Sequence, residues 1–166
     1  MGIDFSDYLN DIIRVLIILY VSKDYKSIRL TERKIELYDF FLRFPKTMTL
    51  SEDHSQEEDV SFEEYYSFFH WQPDIIRYRQ ATNYLIAKGF VEKEIDDGVV
   101  VYIITDLGKT VIEDLNNPYK NQLSELMTNN VKQLSKLSDK KIEEMIQEKS
   151  KKHIKRGAMN ETKVKT

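Results

Sequence analysis

The stretch GFVEKEIDDGVVVYIITDLGKTVI, residues 89–112, decides the fold of this chain. Asp97-Gly98 stands between two runs rich in β-branched residues, and Asp-Gly is a strong signal for a two-residue hairpin turn. The stretch therefore predicts two strands, 90–96 and 99–105, paired as a β-hairpin.

Helices are predicted on both sides of this hairpin. Thr105 has the side chain of a helix N-cap and predicts a helix from there to about Asn117. Another helix is expected over residues 74–89, with Gly89 as its C-cap. The order helix, hairpin, helix is typical of the second half of a winged helix-turn-helix. We predict a mainly α fold with a small β-hairpin wing and C-terminal helices. An unrelated α+β domain with one hairpin is the alternative.

The first helix, predicted over residues 6–23, is unusually apolar. From Ile12 to Val21 every residue except Arg14 is apolar, and a helix that is apolar nearly all round is buried on most faces. A central core helix, enclosed by the chain's own C-terminal helices, is one interpretation. The other, which we state as a prediction, is that Leu16 and Ile17 lie on a face that packs against another chain.

A second helix, from Thr31 to about Arg43, leads to a segment of different composition. Residues 51–64 contain seven Asp or Glu and no Lys or Arg, which predicts a mobile acidic loop rather than a metal site. Six aromatic residues follow within residues 62–71. Core packing explains most of them, and we predict that Phe68 and Trp71 contact a partner.

The helix over 74–89 corresponds to a recognition helix. At 100° per residue its core side holds Ile75, Tyr78, Thr82, Leu85 and Ile86. The opposite side carries Ile76 and Tyr84, predicted to bind a partner protein, and four candidate DNA-contacting residues: Arg77, Gln80, Asn83 and Lys88. The wing carries four acidic residues near its tip, which would repel phosphates. A protein-docking surface is therefore favoured over sequence-specific DNA reading.

Charge divides the chain unevenly. Residues 1–120 contain 14 Lys/Arg and 22 Asp/Glu, a net charge of −8, whereas residues 121–166 contain 11 and 6, a net of +5. We predict a winged-helix domain over 1–118, a helical extension over 119–156 and a disordered tail over 157–166. Weak, salt-sensitive DNA contact is expected from the tail cations Lys151, Lys152, Lys155 and Arg156.

Motifs of enzyme chemistry were not found. The sequence has no cysteine and no Gly-rich phosphate loop, HExxH or GxSxG, and its three histidines are far apart. We therefore expect a non-enzymatic protein without a cofactor. The N-terminus lacks the positive charge of a secretory signal, and the apolar run is too short for a membrane span. A cytoplasmic protein is the simplest expectation.

Three stretches resemble a known family. KIELYDFFLRFP, residues 34–45, is similar to the motif of the middle component of ABC-three-component systems. The stretches YLIAKGFVEKE (84–94) and VYIITDLGKTVI (101–112) resemble that family's winged-helix half. The resemblance covers roughly residues 5–150, and the family includes the middle subunit of Lamassu anti-phage and anti-plasmid systems.

The resemblance implies a subunit that sits between an SMC/Rad50-like ABC ATPase and an effector, often a nuclease. Two other functions stay open. One is a dimeric winged-helix transcription regulator that dimerises through residues 119–156. The other is a standalone DNA-end-binding module that acts through its basic tail.

Overall fold

The computed structural model describes residues 5–48 and 75–163, with side chains over 8–48 and 75–151. Seven helices and one hairpin occupy these ranges: α1 Phe5–Ser22, α2 Glu32–Arg43, α3 Pro45–Met48, α4 Ile75–Ala87, β1 Val91–Asp96, β2 Val99–Ile104, α5 Asp106–Asp114, α6 Pro118–Leu134 and α7 Asp139–Lys163. This confirms a mainly helical chain with a small antiparallel sheet. The acidic segment 51–64, Phe68 and Trp71 lie outside the described residues.

The helices begin where the capping residues predict. Thr31 Oγ1 accepts a hydrogen bond from the backbone N–H of Lys34 at 3.1 Å, and Thr105 Oγ1 accepts one from Gly108 at 3.1 Å. Each bond satisfies a helical N–H that has no partner within the helix. Asn117 caps α6 in the same way, so α5 ends at Asp114 and not near Asn117 as predicted.

The hairpin has the predicted turn. Asp96 pairs with Val99, and between them Asp97 and Gly98 both adopt positive φ, 51° and 78°. Two successive positive φ angles define the turn that matches the twist of paired strands. The backbone N–H of Tyr102 also donates to the carbonyl of Leu30 at 2.9 Å, which attaches the outer edge of β2 to the α1–α2 connection.

One apolar core runs through the described chain, with α1 at its centre. Helix α1 contacts α2, α4, α5, α6 and β2. The C-terminal helices complete the core through six buried residues: Leu123, Met127, Val131, Leu134, Ile142 and Ile146. The core therefore includes residues from both the predicted domain over 1–118 and the predicted extension over 119–156, because the C-terminal helices cover apolar side chains of α1.

Helix α7 also extends further than predicted. It continues to Lys163, whereas the sequence predicts a disordered tail from Gly157. Adding a residue to an existing helix gains one hydrogen bond without a new nucleation step. One glycine costs only about 1 kcal/mol relative to alanine. The backbone can therefore stay helical where few residues have anything to bury.

Candidate partner-binding surface

The predicted docking face of α1 is core. Leu16 and Ile17 are both buried within the chain, so the prediction that they bind a partner is wrong for the folded chain. The structure agrees with the other interpretation, because the C-terminal helix α6 packs along α1. Composition could not decide whether α1 packs within its own chain or against a partner, because either one covers an apolar side chain equally well.

A buried network of charges lies beside this core. Arg14 Nε donates to Asp39 Oδ1 at 2.6 Å, and its Nη2 donates to Asp11. The hydroxyl of Tyr78 donates to the other oxygen of Asp39, and Arg14 Nη1 reaches the Tyr119 hydroxyl at 3.4 Å. The network therefore connects α1, α2, α4 and α6 through groups that would be costly to bury alone.

The surroundings of Arg14 and Tyr78 keep each of these two groups in one protonation state. Burial lowers the pKa of Arg14, but the charge and hydrogen bond of Asp39 outweigh it and leave that pKa above its ordinary value. Burial, followed by the negative charge of Asp39, raises the pKa of Tyr78 well above that of a free tyrosine. Arg14 therefore stays charged and Tyr78 stays a neutral donor at physiological pH.

The network also gives a structural role to residues 38–41 of α2, which belong to the family-like stretch KIELYDFFLRFP. Tyr38, Asp39, Phe40 and Phe41 are all buried, with Asp39 as the shared acceptor. Sequence reasoning missed this role of Asp39. The available signal was Arg14, the one charged residue in the run from Ile12 to Val21, since a buried charge requires a partner.

The outward side of α4 is where the sequence places partner contacts, and it remains exposed. Ile76 is 70% exposed and Tyr84 39% exposed. Tyr84 makes an edge-to-face contact with Tyr8 of α1, with ring centroids 6.3 Å apart. The Tyr8 hydroxyl donates to the Gln80 carbonyl at 3.3 Å, so the N-terminal part of α1 fixes this side of α4.

The four candidate DNA-contacting residues of α4 fall into two groups. Gln80, Asn83 and Lys88 are exposed as predicted. Arg77 instead pairs through Nε with the buried carboxylate of Asp11, and only a third of its side chain is exposed. A phosphate would have to compete with that carboxylate for Arg77.

The inward side of α4 is largely as predicted. Tyr78, Thr82 and Leu85 are buried. Ile75 is exposed instead, so its assignment to the core side is wrong. Ala81 is buried and was missed, although it lies between Tyr78 and Leu85 in the same helical period.

The candidate cations of the tail lie on α7. Lys151 is exposed, and Lys152, Lys155 and Arg156 follow on the same continuous helix. At 100° per residue these four positions fall within one side of the helix.

Among the described residues, no cluster of His, Asp or Glu could hold a metal ion. None of the described helices combines the length and apolar character required to cross a membrane.

Comparison with known proteins gives one match. Searches of curated proteins and of solved structures found nothing similar to this chain. A family model, that of the ABC-three component (ABC-3C) system Middle Component 2, matches residues 5–156. This range holds the whole core, the buried network and the hairpin. The chain therefore belongs to the ABC-3C Middle Component 2 family and is a component of an ABC-3C defence system.

Proposed function

We propose that this chain is a non-enzymatic subunit of a bacterial anti-phage or anti-plasmid defence complex of the Lamassu kind. In this proposal it works in the cytoplasm and bridges an SMC/Rad50-like ABC ATPase and an effector nuclease. The observation that carries the proposal is the outward side of α4, where Ile76 and Tyr84 are exposed on a helix of a chain that belongs to a multi-subunit family. Exposed aromatic and aliphatic side chains on a rigid helix are typical anchors of protein interfaces.

We further propose that α4, the hairpin and α5 form the winged half of a winged helix-turn-helix that is used for protein docking. Two features disfavour base reading by α4. Arg77 is engaged with Asp11, and the neighbouring hairpin is acidic, with Glu92, Glu94 and Asp96 exposed. Repulsion between these carboxylates and phosphates would weaken DNA binding at this side.

The packing of the C-terminal helices favours the subunit proposal over the regulator alternative. It requires residues 119–156 to present an apolar face to a second copy. The apolar residues of α6 and of the first half of α7 are instead buried or partly buried, and these helices contact α1, α2 and α3. Weak DNA contact through the basic half of α7 remains compatible with the subunit role. The partner contacts predicted for Phe68 and Trp71 also stay predictions.

Co-purification tests the proposal. The chain would be co-expressed with the ATPase and effector components encoded beside it, as wild type, as Ile76→Ser/Tyr84→Ser and as Leu107→Ser. Leu107 is 54% exposed on α5 and serves as the matched control for removal of an exposed apolar side chain. Circular dichroism would verify that each variant is folded.

We expect the wild type and the Leu107 variant to co-elute with at least one component. The double variant of α4 should lose most of that component. A folded wild-type chain that elutes alone, and that instead binds one DNA sequence as a dimer, would establish the regulator function.

A further inference from the structure

The far end of the hairpin exposes three apolar side chains, which we name the hairpin tip: Ile95, Val99 and Val100. They are 78%, 41% and 47% exposed. Single exposed apolar residues are ordinary, whereas adjacent ones on a projecting element indicate an interaction site.

The register shows why the tip is uncovered. Ile95 lies directly opposite Val100, and Val91 lies opposite Ile104 at the other end of the same two strands. Residues four apart along a strand point to the same face. The Val91–Ile104 pair is buried in the core. The face that anchors the hairpin therefore continues through Tyr102 and Lys93 and ends in solvent at Ile95 and Val100, whereas Val99 lies on the opposite face.

Strand formation alone does not require apolar residues there. Threonine is also β-branched and favours strands, so it would satisfy the backbone without exposing an apolar surface. The tip is held in place as well. Arg29 pairs with Asp96 at 2.7 Å and with Asp97 at 3.5 Å, beside the bond between Tyr102 and Leu30. A surface that is ordered before binding loses less entropy when a partner arrives.

The charged residues of the hairpin indicate which class of partner could bind the tip. Glu92 and Glu94 are exposed, and neither forms an ion pair within the described parts of the chain. Side chains alternate between the two faces of a strand, so Glu92 and Glu94 lie on the face of Val99, opposite Ile95 and Val100. Counted over both faces and the turn, they give with Asp96 and Asp97 four carboxylates around the tip, against the two cations Lys93 and Arg29. This balance disfavours nucleic acid, an anionic membrane and a second copy of the same tip. It favours a protein surface that carries Lys or Arg.

We propose that the hairpin tip docks into a shallow apolar recess with a basic rim on another component of the same ABC-3C system. This inference rests on the proposed function and deepens it. The hairpin would enter the recess with its turn first: Ile95 and Val100 would contact one wall, and Glu92 and Glu94, on the opposite face, would meet the rim on the other side. The tip and the outward side of α4 are then two separate contact surfaces, as a bridging subunit needs.

Equilibrium binding to each of the two purified partner components tests the inference. Four forms of the full chain would be compared: wild type, Ile95→Thr/Val100→Thr, Glu92→Gln/Glu94→Gln, and Leu107→Gln as an exposed control outside the tip. The threonine variant keeps β-branching, so it should keep the fold. Thermal unfolding followed by circular dichroism would verify that all four forms have similar stability.

We expect the threonine variant to weaken binding to one component at least tenfold. The glutamine variant should reduce the salt dependence of that binding and slow association, because rim charges act mainly on the encounter rate. The Leu107 variant should bind like wild type. Equal affinity of the threonine variant and wild type would overturn the inference while the proposed function stands.

Two further outcomes separate the two claims. Wild type that binds neither component would show that the proposed function itself fails. Self-association of the free chain, seen by sedimentation and lost only in the threonine variant, would assign the tip to a homodimer and overturn the inference.

Discussion

Helix α1 and the β-hairpin are both rich in apolar residues, but those of α1 are largely buried and those at the end of the hairpin are exposed. Five other elements surround α1, and its central residues Val15, Ile17 and Ile18 have no exposed surface. The hairpin is covered at its base and uncovered at its tip. The apolar residues of α1 therefore hold the chain together, whereas those of the tip contribute little to the fold and remain available for a partner.

The two regions also differ in how they use charge. Beside α1, Arg14 and Asp39 form a buried pair that is completed by hydrogen bonds from other helices. At the hairpin, Arg29 and Asp96 form a pair that is about half exposed. A buried charge that loses its partner is strongly destabilising, whereas an exposed pair contributes at most about 1 kcal/mol.

The largest expected effect comes from Asp39→Ala. It leaves Arg14 buried without its main counter-charge and should lower the free energy of unfolding by about 3–5 kcal/mol. Urea unfolding followed by circular dichroism measures this, with Asp96→Ala as the matched control at the exposed pair. Similar losses for the two variants would contradict the distinction between the regions.

The next prediction applies one substitution to both regions. Ile17→Thr removes apolar volume from the core and buries a hydroxyl, so it should cost about 2–5 kcal/mol. Ile95→Thr at the tip should change stability by no more than about 0.5 kcal/mol. Chemical unfolding of both variants in the same buffer gives the comparison. A large loss at Ile95 would show that the tip is part of the fold.

The third prediction concerns pH. The raised pKa of Tyr78 means that the folded state holds its proton more tightly than the unfolded state. The resulting stability is complete below the ordinary tyrosine pKa of about 10 and is lost as the pH rises above it. Tyr78→Phe should cost about 1.5–3 kcal/mol near pH 8, since the hydrogen bond is to a charged group.

Above pH 10 the difference between wild type and Tyr78→Phe should shrink. Urea unfolding at several pH values between 8 and 11 measures it. Ile95→Thr, which changes no titratable group, is the control and should show no such trend. A constant difference across the range would remove the linkage assigned to Tyr78.

A moderate loss is expected for a substitution at Gly108, where the hairpin packs against the start of α5. A Cβ on Gly108 would lie 2.2 Å from the Phe90 carbonyl oxygen and 2.8 Å from Ile104 Cγ1. Gly108→Ala should therefore force the base of the hairpin outward and cost about 1–3 kcal/mol, reduced by about 1 kcal/mol of helix propensity. Thermal unfolding measures the net loss. A stabilised variant would mean that the base of the hairpin adjusts freely.

Local signals in the sequence predicted the elements well. The Asp97-Gly98 turn, the Thr31 and Thr105 caps and the Gly89 terminus act over a few residues, so reading them requires no knowledge of distant contacts. The errors concern contacts between residues that are distant in the sequence. Arg14 and Asp39 are 25 positions apart, and Asp11 and Arg77 are 66 apart. No periodicity relates such pairs.

By itself, the sequence determined where helices and strands form, that α1 must be buried and that the wing is acidic. It also contains the stretch KIELYDFFLRFP, residues 34–45, which resembles the motif of the family. Only the tertiary structure decided what buries α1, because the free energy of removing an apolar side chain from water does not depend on which chain covers it. Only the tertiary structure likewise decided that the hairpin tip is exposed, because this depends on whether another element packs against it.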